Sequence, residues 1–242
     1  MKMKFAKLLT LLIIITPAIC HATTITFTSS GIIQNGEVYN YVYVENDGTV
    51  VDMTGGQIGN LLTSYISTFN LHGGQITKVE PTDTGPSINI GPLGTINILN
   101  GIVDIGDFVL EGTGYISGGD INSYHLKTYP GSAVNISGGI LDFDMADIHG
   151  DLTISGGAFY VDNSYIDYSG PDMATINIYG YGFNYDPTGG TYEGILTGYL
   201  QDGEPFTFDG LNESEYSRFN LVPEPATLLL FALGGLILRK RS

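Results

Sequence analysis

The chain has 242 residues, of which 25 are acidic and only 9 basic, with 11% aromatic residues and a single cysteine. Three of the basic residues lie at the extreme N-terminus and three at the extreme C-terminus, so between Thr23 and Val222 only Lys78, Lys127 and Arg218 stand against 24 acidic residues, a balance of 3 − 24 = −21. Such a surface excludes nucleic acid as a partner and disfavours anionic polymers, because it lacks the cations that neutralise phosphate, and divalent cations are its natural counter-ions. Aliphatic and aromatic residues nevertheless recur along the whole segment, which excludes disorder and predicts a real core.

At the N-terminus Lys2, Lys4 and Lys7 precede the apolar run from Leu8 to Ile15, followed by Pro17 and by Cys20-His21-Ala22. This order of a basic start, a short apolar stretch and small residues at alternate positions predicts a secretory signal peptide over residues 1–22, cut by signal peptidase between Ala22 and Thr23. Lipidation of Cys20 is disfavoured by the branched Ile19 before it. With Cys20 removed, the mature chain has no thiol for a disulfide, a metal or a nucleophile.

Residues 23–50 are read as N-terminal capping strands, with Val38-Tyr39-Asn40-Tyr41-Val42-Tyr43-Val44 strongly strand-forming and placed to cover the first repeat. Residues 51–185 carry the repeat itself, which decides the fold. Val51-Asp52-Met53-Thr54-Gly55-Gly56 aligns with Phe69-Asn70-Leu71-His72-Gly73-Gly74 and with Val134-Asn135-Ile136-Ser137-Gly138-Gly139. Further copies centre on Asn97, Tyr115, Thr153 and Asn177, and the fifth position recurs in steps of 18, 27, 18, 20, 18 and 24 residues. The longest step is an insertion containing Pro81, Pro86 and Pro92.

Within each copy the third position (Met53, Leu71, Ile98, Ile116, Ile136, Ile154, Ile178) and the eighth (Ile58, Ile76, Val103, Ile121, Leu141, Phe159, Phe183) are apolar. Period-two alternation marks a half-buried strand, and the glycine pair supplies a bend before a second strand. A step of about eighteen residues is too short for a helix pair and suits one coil of a solenoid, whose coils stack at ~4.8 Å and place like residues in columns. The expected fold is therefore all-β, a parallel β-helix or β-solenoid of about seven coils. The second position would form an outward column of mostly neutral residues, in which amides hydrogen-bond along the stack. The competing fold is a β-sandwich of hairpins, which Asp47-Gly48 favours locally.

Residues 186–221 are read as C-terminal capping strands, Gly194 to Leu200 and Pro205 to Phe208, followed from Gly210 by a polar linker. A solenoid needs such caps because its open end exposes unpaired strand edges.

Residues 222–242 begin Val222-Pro223-Glu224-Pro225, continue through an apolar run from Leu228 to Leu238 and end Arg239-Lys240-Arg241-Ser242. The prolines delay any helix to Pro225 or later. A helix from Ala226 to Leu238 is roughly 20 Å long at 1.5 Å per residue, a short membrane helix whose basic tail stays on the cytoplasmic side as a stop. This tail resembles the PEP-CTERM family of Gram-negative bacteria, in which a Pro-Glu-Pro motif, a short membrane helix and a basic end are recognised by the membrane protease exosortase. The resemblance covers about the last twenty residues. It implies anchorage in the inner membrane, cutting near Pro223-Glu224-Pro225, and release to the cell surface or to an exopolysaccharide matrix.

Candidate chemistry is sparse. Asp142, Asp144 and Asp147 form the densest acidic cluster, with Asp142 and Asp144 on one strand face; carboxylates so placed serve glycoside hydrolysis or Ca2+ binding. Their competing reading is a solvated polar face. His72, His125 and His149 are too scattered for a zinc site, no serine sits in a nucleophile elbow, and three basic residues are too few for a lyase. Sixteen tyrosines suit stacking on sugar rings as well as strand formation. Two function classes follow: a non-enzymatic surface or matrix protein of structural or adhesive type associated with exopolysaccharide, with no cofactor, and a glycoside hydrolase using the Asp142 to Asp151 region.

Overall fold

The structure, a computed structural model, describes residues 23–77, 85–166 and 174–223. The expected signal peptide, the part of the long insertion at residues 78–84 and the tail from residue 224 lie outside them.

In chain order the strands are β1 (Thr23–Phe27), β2 (Gly31–Ile33), β3 (Val38–Val44), β4 (Val50–Met53), β5 (Gln57–Thr63) and β6 (Thr68–Leu71). They continue as β7 (Gln75–Thr77), β8 (Ser87–Ile90), β9 (Thr95–Ile98), β10 (Ile102–Leu110), β11 (Thr113–Thr128) and β12 (Ala133–Ile148). The last are β13 (Asp151–Val161), β14 (Ser164–Ile166), β15 (Ile176–Asp186), β16 (Gly194–Leu200), β17 (Pro205–Leu211) and, after the short helix α1 (Glu213–Tyr216), β18 (Phe219–Pro223).

From β1 to β15 the strands stack in parallel, each on those one coil before and after it, so that even the consecutive long strands β10 to β13 lie parallel and not as hairpins. That is a β-solenoid, and it excludes the sandwich. Each coil has three faces. On the first, Met53 pairs with Leu71, Leu71 with Ile98, Ile98 with Ile116, Ile116 with Ile136, Ile136 with Ile154 and Ile154 with Ile178. All seven are 2% exposed or less, so the third position of the repeat is one buried aliphatic column. The second face stacks Ile58, Ile76, Val103, Ile121, Leu141 and Phe159, then Phe206 from β17. Phe183, expected next in that column, is displaced from it because β15 turns there into antiparallel pairing; its ring packs 6.0 Å from that of Phe206 between centroids. A third face, which carries no repeat signature, stacks Val42, Leu61, Ile88, Phe108, Leu126 and Ala146.

The glycine pair makes the corner between the first two faces. Gly157 has φ +85°, and a Cβ there would lie 2.6 Å from the backbone of Gly138 and Gly139 on the coil below. Only a residue without a side chain allows both the left-handed turn and this backbone approach. Asp47-Gly48 is likewise a corner and not a hairpin: Gly48 N–H donates to Ile66 O of the next coil at 2.8 Å.

Two segments differ from expectation. Val38–Val44 does not cover the stack; it is a rung within it, paired in parallel with β5, because Val42 and Val44 fall in register above Leu61 and Thr63. The edge beyond it is taken by β1, which starts at Thr23. Residues 210–222 are not a linker either. Asn212 caps α1, its side chain accepting from Ser214 N and Glu215 N, and β18 then pairs in parallel with β15, setting Leu221 on Ile178 and Asn220 on Asn177. Between them β15, β16 and β17 form an antiparallel meander, here termed the C-terminal cap. Its aromatic side chains continue the core, with Phe208 5.0 Å from both Phe159 and Phe219 between ring centroids.

Candidate functional sites

The last described strand reaches the sorting motif. Val222 pairs with Tyr179 and Pro223 with Gly180, so β18 runs up to the first proline of Pro223-Glu224-Pro225 with no spacer. Glu224, Pro225 and the basic residues Arg239, Lys240 and Arg241 lie outside the described residues, as does Ala22; Thr23 opens β1. Among the described residues no helix is long and apolar enough to cross a membrane, and the span expected from Leu228 to Leu238 lies outside them.

Comparison with known proteins reaches this end of the chain. The PEP-CTERM protein-sorting motif matches residues 221–242. The chain therefore carries a sorting signal that implies export, membrane anchorage before processing, and exosortase as the processing enzyme. No curated protein matches the chain, and no solved structure does.

The acidic cluster is divided by a corner of the coil. Asp142 and Asp144 are exposed on the same face of β12, whereas Asp147 lies past the bend, on the third face, with an oxygen 3.1 Å from Nε2 of His125. His125 is flanked on its other side by Asp107, 3.7 Å from Nδ1. Partial desolvation, then the charges of Asp162 and Asp144, push the Asp142 carboxyl above its ordinary pKa. Asp162 belongs to the next coil, and nothing in the order of residues marks it, because Asp142 and Asp162 become neighbours only through stacking. Among the described residues no group of three His, Cys, Asp or Glu side chains is arranged to hold a metal ion.

The column at the second position of the repeat is a chain of hydrogen bonds. Asn70 Nδ2 donates to Asp52 Oδ1 at 2.8 Å, Asn97 Nδ2 to Asn70 Oδ1 at 2.7 Å, and at the far end Asn220 Nδ2 to Asn177 Oδ1 at 3.0 Å. Tyr115 and Thr153 interrupt it.

A cleft of about 370 Å³, which the repeat does not foretell, lies where β14 meets the C-terminal cap. Tyr165 and Tyr192 stand at its rim, 50% and 71% exposed. Ser164, Glu193, Asn212 and Glu215 contribute to its lining. Glu215 is buried, its Oε2 accepting from Asn212 N at 2.9 Å and its Oε1 from Ile166 N at 3.3 Å. Burial pushes its pKa up against these two donors, which lower it, and the charge of Glu193 adds to the rise. The sequence hides this site because it joins residues 49 positions apart, from a repeat and from the segment read as a linker.

Proposed function

We propose that this chain is a structural or adhesive protein of the cell surface or extracellular matrix, a rigid acidic solenoid associated with exopolysaccharide rather than an enzyme. The observation that supports it most is the join between a regular stack and a sorting motif whose first residues belong to the last described rung. Signal peptidase removes residues 1–22, residues 228–238 hold the chain in the inner membrane with Arg239-Lys240-Arg241 inside, and exosortase cuts near Pro223-Glu224-Pro225. Replacing Pro223, Glu224 and Pro225 by alanine should leave the protein in the membrane fraction with its tail uncut. If release is unchanged by that replacement and by deletion of the exosortase, the tail is only an anchor and the proposal falls.

A second reading has one observation in its favour: Asp142, its pKa raised by partial burial and by the neighbouring Asp162 and Asp144, has the character of a general acid. Release of reducing sugar from the host's exopolysaccharide, abolished by Asp142→Asn, would establish the hydrolase. Against it, these carboxylates lie on an open strand face and do not line the cleft.

A further inference from the structure

We propose that the N-terminal end of the solenoid is a homotypic contact, in which β1 pairs antiparallel with β1 of a second copy of this chain, end to end. The proposal rests on the reading of residues 1–22 as a removed signal peptide, and it gives the adhesive reading a partner.

The two ends of the stack are unlike. At the C-terminal end the meander and α1 lie over the last coil, and Glu215 takes up the N–H of Ile166 in β14. At the N-terminal end β1 pairs only with β3, and β2 only with β4, among the described residues. Phe27 O accepts from Glu45 N at 2.9 Å, so Ile25 and Phe27 turn their peptide groups toward β3, while those of Thr24 and Thr26 face the open edge. From Thr23 to Gly36 there is no charged residue and no proline, the residues that guard strand edges. The inward side chains of Ile25 and Phe27, which stand on Val42 and Val44, are only partly buried. Ladder and core column both stop unfinished here.

A second copy is the occupant that completes them. Cutting between Ala22 and Thr23 makes the edge strand the first segment of the mature chain, with no residue ahead of it to fold back over the edge. The open peptide groups then set the register: Thr24 exchanges hydrogen bonds with the partner's Thr26, and the two Ile25 residues meet on the twofold axis. This register sets the ammonium freed at Thr23 opposite the partner's Phe27, beside Glu45 in the rung beneath it. Opposite charges thus meet only after cleavage. Head-to-tail stacking fails, because β14, the strand that β1 would have to join, has its Ile166 N–H engaged by Glu215. The acidic charge that repels copies along their sides is absent from this edge. With β18 leading into the sorting motif at the other end, β1 points away from the anchor, where it meets a copy from a facing surface.

The test is sedimentation equilibrium of the exported, processed protein, with mass spectrometry of the same sample to place its N-terminus. Chains that begin at Thr23 should show a monomer–dimer equilibrium. Thr26→Pro removes an outward N–H and no bond to β3, and should raise the dimer dissociation constant about tenfold or more while the melting temperature holds. Glu45→Gln should raise it about threefold. The mature chain has no cysteine of its own, so single cysteines read the register. Ile25→Cys, with Cα atoms about 4.5 Å apart at the axis, should cross-link into a disulfide dimer under mild oxidation, and Thr24→Cys should not. Chains that begin at Thr23 yet stay monomeric at every concentration, open-ended polymers in place of dimers, dimers untouched by Thr26→Pro, or a cross-link at Thr24→Cys and none at Ile25→Cys would each overturn the contact. Chains that retain residues 1–22 would overturn the cleavage reading, and the contact with it.

Discussion

Asn70 is held from both sides, donating to Asp52 and accepting from Asn97, so its amide uses a donor and an acceptor that a carboxylate cannot supply together. Asn70→Asp places a second carboxylate in contact with Asp52 and removes the donor between them, and should cost about 1–3 kcal/mol. Asn135→Asp, between Tyr115 and Thr153, meets no carboxylate on the column and should cost about 1 kcal/mol or less. Ile136→Asp, one residue on, buries a charge between Ile116 and Ile154 and should prevent folding, since the penalty of several kcal/mol rivals the whole stability of a domain. Thermal melts of the three mature variants rank these effects, and similar shifts for Asn135→Asp and Ile136→Asp would contradict the register. The raised pKa values of Asp142 and Glu215 set a pH trend. A carboxyl that ionises later folded than unfolded stabilises the fold fully below the unfolded pKa, and the benefit is lost as pH rises from about 4 through the raised value. The melting temperature of the mature protein should therefore fall as pH rises above about 4, and Asp162→Asn should flatten that fall. A melting temperature that rises instead would contradict the assignment.

The Gly-Gly corner is the element on which the stack turns, and two glycines of similar backbone separate its two demands. Gly131 has φ +86° and nothing within 4 Å of the place a Cβ would take, whereas Gly157, at φ +85°, would drive its Cβ into the coil below. Gly131→Ala should cost about 1–2 kcal/mol for the left-handed backbone alone. Gly157→Ala should cost about 1–3 kcal/mol more, because the coils must part to admit the methyl. Equal losses in denaturant titrations would mean that the corner is needed for its dihedrals only. These glycines, with the apolar residues at the third and eighth positions, made two of the three faces legible from the sequence. The third face was not, because its columns mix Val44, Thr63, Ile90 and Thr128 and carry no repeated punctuation. The terminal rung was missed for a related reason. Phe219-Asn220-Leu221 keeps the apolar-polar-apolar order, but Asn220 lies 43 residues beyond its partner Asn177, across a meander with no repeat. Of the candidate sites, the sorting motif was readable because it is contiguous in sequence, and the cleft was unreadable because stacking and capping assemble it.

For the molecule as a whole, the balance of −21 between Thr23 and Val222 keeps copies apart side by side. Topology can be checked directly: a reporter that is active only outside the cytoplasm, fused after Pro223, should be active, and activity confined to a cytoplasmic reporter would refute export. The same junction has a mechanical consequence. Among the described residues β18 pairs only with β15, while the rungs inside the stack have a neighbour on each side. While the tail is anchored, a pull along the stack opens the hydrogen bonds between these two strands one after another instead of loading them together. The rung that leads into the sorting motif is thus the first to peel, ahead of the coils beyond it.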